Sequence, residues 1–171
     1  MEKNQLIKNR EAMIEDLFSQ HADPLLRMCF LYLKDMQAAE DAVQETFIKA
    51  FRYCHEFRGD SSPKTWLVRI AVNTCKNMLR SEKELLSMEH ADMEGLLPSR
   101  EEDQAVRLTV AGEIGKLPLK YREIILLYYY QELDAKGIAD ILGLPRTTVE
   151  YRLRRAKALL KPGLKEMYFD E

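Results

Sequence analysis

The stretch RTTVEYRLRRAKALLK at 146–161 carries Arg146, Arg152, Arg154, Arg155, Lys157 and Lys161 against one acid, Glu150, in a chain whose formal net charge is -2. Cationic side chains at this density bind anions, phosphates above all, and a guanidinium held at a fixed angle also pairs with a guanine edge. A second set of groups is built for polar contact: EDAVQE at 40–45 sets Glu40, Asp41, Gln44 and Glu45 at helical spacing, on one face if the segment is a helix. A third, GDSSP at 59–63, places Asp60, Ser61 and Ser62 just ahead of Lys64, Arg69, Asn73, Lys76, Asn77 and Arg80. A hydroxyl-rich loop of this kind offers donors to an extruded base, and the cations after it can follow a separated strand.

Catalytic chemistry has no such footing. His21, His55 and His90 are dispersed, and the chain has no HExxH, no G-x-S-x-G and no glycine-rich phosphate loop. Cys54 and His55 adjoin, but a metal site needs two more ligands that the sequence does not supply. Cys29, Cys54 and Cys75 are odd in number and never spaced as CxxC, the pattern of reduced thiols. The expectation is therefore no enzyme, no catalytic residue, no metal and no cofactor.

The elements that must position these groups are helices. Apolar residues recur at three and four, as in Met13, Leu17 and Phe18, then Leu25, Leu26, Cys29, Phe30 and Leu33, then Ala42, Val43, Phe47, Ile48 and Phe51. In the third run Val43, Phe47 and Phe51 are expected to point inward, opposite the acids. LPLKYREIILLYYYQEL at 117–133 is β-rich in composition, yet Tyr121, Ile124, Ile125 and Tyr128 keep helical spacing after Pro118, and it reads as a buried helix. Breaks are expected at Asp23-Pro24, at 57–63, at 95–99, at Leu117-Pro118 and at 143–145. Trp66, beside Leu67 and Ile70, reads as core in preference to a stacking platform.

Charge divides the chain. Residues 1–82 hold 12 basic and 12 acidic residues, 83–104 hold 2 and 7, and 105–171 hold 12 and 9. The sequence thus predicts an all-α protein of two small helical domains, 1–82 and 105–171, joined by an acidic linker at 83–104. No apolar run approaches the roughly 18 residues that cross a bilayer, and the N-terminus has no secretion-signal pattern, so the expected location is cytoplasmic without direct membrane insertion.

AKGIADILGLPRTTVEYRL at 135–153 has helix-turn-helix spacing: Ile138, Ala139 and Leu142 on a first helix, Gly143 at its exit, Pro145 opening the second. Val149, Leu153, Ala156 and Leu160 make the buried stripe of that second helix, and Arg146, Glu150, Arg154, Lys157 and Lys161 make the outward one. A solvated face would look alike, with Glu150 and Arg154 a helical ion pair; the helix-turn-helix spacing ahead of it favours DNA binding.

These blocks resemble the bacterial extracytoplasmic-function (ECF, group 4) sigma factors of the sigma-70 family. ADILGLPRTTVEYRLRRAKALLK is similar to their C-terminal helix-turn-helix, AEDAVQETFIKAF to their polymerase-binding helix, and FRGDSSPKTWLVRIAVNTCKNMLR to the segment that melts and reads the minus-10 element. The resemblance implies a region-2 domain at 1–82 and a region-4 domain at 105–171. Glu40, Asp41, Gln44 and Glu45 would dock on a coiled coil of the largest polymerase subunit. Asp60, Ser61, Ser62 and Asn73 would carry minus-10 base identity, and Lys64, Lys76, Asn77 and Arg80 would hold that strand. Arg146, Thr147, Thr148, Glu150, Tyr151, Arg154, Arg155 and Lys157 would meet the minus-35 duplex.

The implied partners are core RNA polymerase (coiled coil and flap), promoter DNA and an anti-sigma factor, the last a means of holding the protein at the membrane. The acids Glu84, Glu89, Asp92, Glu94, Glu101, Glu102 and Asp103 would line the polymerase's RNA path. Pro63, Thr147, Glu150 and Tyr151 depart from the usual family residues. The competing reading is a stand-alone helix-turn-helix regulator with a helical sensor or dimerisation domain, which leaves the first two blocks without a role.

Overall fold

The computed structural model describes residues 1–89 and 110–169. Among them there is no strand. Helix α1 spans Glu2–Leu33, α2 Met36–Tyr53 and α3 Pro63–Glu89; α4 spans Val110–Lys116, α5 Leu119–Ile125, α6 Ala135–Leu142 and α7 Arg146–Phe169. A 3-10 turn, Cys54–Glu56, follows α2, and a π-helical turn, Leu126–Tyr130, continues α5.

Helices α1 to α3 pack as an N-terminal unit. Lys34 ends α1 in the left-handed conformation at φ 60, its N–H donating to the Phe30 carbonyl. Asp35 then caps α2 by accepting from the Ala38 N–H at 2.8 Å, which closes a tight antiparallel corner. Ala39, Ala42 and Ala50 are fully buried on α2, and small side chains there let α2 lie close on Leu25, Met28 and Tyr32 of α1 and Leu67, Val68 and Val72 of α3. Fully burying a Leu of this set contributes about 1.5–3 kcal/mol.

Two expectations fail in this unit. The break expected at Asp23-Pro24 is absent: α1 runs through Pro24. Proline removes one helical N–H and opposes the helix by about 3 kcal/mol, but Ile14 and Leu17 before it and Leu25, Met28 and Cys29 after it are all buried, so continuing the helix keeps both turns in the core. Phe51, expected inward, is 55% exposed, with Val43 and Phe47 only half-buried. The alanines and Thr46 take the inward face of α2, Thr46 donating to the Ala42 carbonyl at 2.6 Å.

Trp66 is half-buried against Phe57, ring centroids 5.3 Å apart. Cys29 and Cys75 are free thiols buried together, Sγ to Sγ 3.6 Å, and their contact and burial push the Cys75 thiol up.

The C-terminal unit wraps α5, the π turn and α6 around α7. Within segment 117–133, residues 119–130 are helical, as the spacing predicts, with 117–118 before the helix and 131–133 in the loop to α6. Asp134 caps α6 by accepting from the Gly137 N–H at 2.8 Å. Gly143 follows it at φ 64, where a Cβ would be strained though the space is open. Gly143→Ala is therefore expected to lower unfolding free energy by about 1 kcal/mol, read by urea titration, with helical content preserved.

The expected acidic linker lies mostly outside the described residues; its first residues extend α3, which continues to Glu89. The two units touch. Buried apolar residues of both join one cluster, and the polar contacts across the junction centre on Tyr32, Arg122 and Glu123.

Candidate nucleic-acid and polymerase interfaces

On α2, Glu40, Asp41 and Gln44 are exposed and Glu45 is half-buried. Gln37 donates to Asp41 at 3.2 Å and Lys49 pairs with Glu45 at 3.4 Å, so the acids stand in order along the surface. The face does not end with them. Ile48 and Phe51 extend the Asp41–Gln44 row at helical spacing, both more than half exposed, and Phe18 of α1 lies beside them, edge-on to Phe47 at 4.9 Å. Of these, the sequence reading turned Phe51 inward. Exposed large hydrophobics beside ordered polar groups have the mixed composition of protein-interaction surfaces in general.

The second surface surrounds the start of α3. Gly59 adopts φ 80, which turns the loop. Ser62 caps α3, accepting from the Thr65 N–H at 3.1 Å and donating to the Thr65 hydroxyl at 2.9 Å, so one of the expected base-reading hydroxyls already serves the helix. Asp60 is exposed and Ser61 half-buried.

Asn73, Asn77 and Arg80 are exposed along one face of α3, with Lys76 at its edge. Lys64 is not with them: nine residues before Asn73, it lies about half a helical turn around. Its Nζ donates to the Gln131 carbonyl of the C-terminal unit. Lys76 is likewise engaged there, 3.3 Å from Glu123. Burial, reinforced by Lys64, lowers the His21 pKa below its ordinary value.

The third surface is α7 on its helix-turn-helix frame. Val149 and Ala156 are fully buried and Leu160 nearly so, which fixes the rotation of the helix. Arg146, Thr147, Glu150, Tyr151, Arg154, Arg155 and Lys157 therefore face solvent, and Thr148 is half-buried. Glu150 pairs with Arg146 at 2.9 Å, not with Arg154 as its spacing allowed. Arg154 is exposed, and Glu150, its acidic neighbour on that face, is engaged with Arg146. Lys157 leans over the Tyr128 and Tyr129 rings, at 5.2 and 5.7 Å from their centroids. Arg152 turns away from this face, 3.9 Å from Glu123.

A fourth feature was not expected from the sequence: a groove of about 1230 Å³ between α4, the π turn and α7. Ile114, Ile125, Tyr129, Leu160 and Leu164 line it, and Lys157, Lys161 and Lys165 edge it. The signal was present in those lysines, four apart beside the apolar stripe of α7. What it lacked was the second wall, which only the folded α4 supplies.

Polar surfaces thus stand on both helical units, one of them a helix-turn-helix. Comparison with known proteins supplies the family. The Sigma-70 region 2 family matches residues 17–84, and the Sigma-70, region 4 family matches residues 108–160. The chain is 32% identical to the ECF RNA polymerase sigma factor SigW of Bacillus subtilis, over 95% of each chain. It is 33% identical to RNA polymerase sigma factor YlaC of the same organism, over 92% of this chain and 95% of the relative. Among solved structures, the sigma factor RpoE in complex with the anti-sigma factor NepR from Bartonella quintana shares the fold at TM-score 0.75 and 21% identity, over 92% of this chain and 98% of that one. CnrH in complex with the cytosolic domain of CnrY does so at TM-score 0.69 and 24% identity, over 95% and 94%.

The chain belongs to the ECF sigma factors of the sigma-70 family. It acts in promoter-specific initiation with RNA polymerase and is not an enzyme, which removes the stand-alone regulator reading. Among the described residues no helix is long and apolar enough to cross a membrane.

Proposed function

We propose that the chain divides its work by surface. Asp41, Gln44 and Glu45, with Ile48, Phe51 and Phe18, dock the largest polymerase subunit. Asp60, Ser61, Asn73, Asn77 and Arg80, joined by Lys64 and Lys76, hold the minus-10 strand. Arg146, Thr147, Glu150, Tyr151 and Arg154 read the minus-35 duplex. The observation that carries this reading is the solvent-facing row on α7, fixed in rotation by buried Val149 and Ala156, within a chain that also has the region-2 helices.

In this reading the units are 1–82 and 105–171, with 83–104 between them as tether; family matches at 17–84 and 108–160 support the division. A tether raises the effective concentration of the second DNA contact once the first is made, so each can be weak alone. The lysine-edged apolar groove is the surface for a partner helix, from the polymerase flap or from an anti-sigma factor such as those seated on the structural neighbours.

Transcription in vitro from a genomic library with core polymerase tests the whole reading. Addition of the protein should produce a discrete set of start sites sharing two spaced elements. Tight binding of the free protein to duplex DNA, with no polymerase-dependent transcripts, would sink it.

A further inference from the structure

We infer that Arg146 reads a guanine in the minus-35 duplex and that Glu150 is its positioning residue, holding the guanidinium ready for the base edge. The inference rests on the reading that α7 meets the minus-35 duplex, and it adds the base identity at one position.

Arg146 is the first residue of α7, directly after Pro145, whose carbonyl accepts from the Thr148 and Val149 N–H groups at 3.0 and 3.2 Å. Val149 is fully buried, so the first turn is fixed in rotation, and Arg146 and Glu150 share the outward face. The Arg146 Nε donates to a Glu150 carboxylate oxygen at 2.9 Å. The two side chains are 68% and 48% exposed, so a base edge can reach the pair.

Helix stability does not account for this pairing. A cation in the first turn opposes the helix dipole. Arginine four residues before glutamate is also the weaker order of a helical ion pair, and the stronger order was open to Glu150 with Arg154, four residues on. Recognition does account for it. A bond through Nε leaves the two outer nitrogens, which form the fork that takes guanine O6 and N7 together. An arginine held in advance loses less freedom on binding than one that sweeps the solvent. The pair is also neutral as a unit, which makes it a weak ligand for backbone phosphate and leaves sequence as what it can read. Arg154 lies eight residues on, about 12 Å along the helix axis, and meets a different base pair.

The test uses holoenzyme assembled from the full chain and core polymerase, on duplex promoters with the minus-35 segment randomised, the bound fraction being sequenced at two salt concentrations. Wild type should enrich a guanine at one position about tenfold or more, as a bidentate arginine contact does. The charge-neutral double variant Arg146→Ala/Glu150→Ala should lose that preference while its affinity for sequences lacking the guanine and its salt dependence stay unchanged. Glu150→Ala alone should weaken the preference about three- to tenfold and raise affinity for the other sequences, because an acid facing phosphates is gone. A merely structural role for Glu150 would not split these two readings. Both positions are exposed and alanine favours helix, so the variants keep the fold. If wild type enriches no minus-35 element, the inference falls together with the reading beneath it. An element that survives the double change intact, or a lost preference for a base other than guanine, overturns the inference alone. So does a uniform loss over all sequences with a flatter salt dependence, which marks a phosphate contact. A guanine preference that Glu150→Ala leaves at full strength overturns the positioning role.

Discussion

Replacing Asp41 and Gln44 together by Arg is expected to abolish stable association with core polymerase, with helical circular dichroism staying at the wild-type level. Both side chains are exposed on α2, and arginine is as good a helix former as the residues it replaces, so the fold has no reason to change. At a basic partner, the double change removes an attractive carboxylate and adds two cations. Like charges set against each other in an interface cost several kcal/mol, and every 1.4 kcal/mol is about tenfold in affinity, so a loss of more than about a hundredfold is expected. Co-purification with core polymerase from cells that express the variant is the measurement. Undiminished recovery would remove this face from the docking assignment and leave Ile48, Phe51 and Phe18 as unpartnered surface.

The second large effect separates the two DNA surfaces. Arg154 faces outward with Glu150 committed to Arg146, so its guanidinium is free to meet a base edge in the major groove. Arg154→Ala should lower promoter affinity of the holoenzyme by about 1–3 kcal/mol, and unevenly among promoters, because a lost base contact matters only where that base is present. Lys161→Ala should weaken all promoters alike and flatten the salt dependence, the signature of a lost phosphate contact.

Asn73→Ala acts at a later step. It should impair open-complex formation and binding to single-stranded minus-10 oligonucleotides, which Arg154→Ala should spare. Permanganate footprinting of melted thymines and electrophoretic shift of the two DNA forms read these outcomes. Loss of single-strand binding by Arg154→Ala would refute the division of labour.

Helical periodicity by itself determined most of the local architecture, because the 3.6-residue turn tells which side chains of one helix share a face. It predicted the helix-turn-helix, with Gly143 at positive φ and Val149, Ala156 and Leu160 turned inward. It also put Glu40, Asp41 and Gln44 outward on α2. Resemblance of three ordered blocks then supplied the family.

Periodicity does not tell what each face meets, and there the tertiary structure decided. Phe51 looked like core because it is large and apolar, yet α2 buries alanines, since only small residues allow its close approach to α1 and α3. Pro24 looked like a stop, yet burial on both sides of it outweighs one missing N–H. The apolar groove needs walls from α4, the π turn and α7, three separate elements that only folding brings side by side. Glu123 had no distinguishing neighbour in the sequence. Its partners Tyr32 and Lys76 are 91 and 47 positions away, and a carboxylate becomes a junction only when folding brings such distant cations and donors around it in a place that water does not reach.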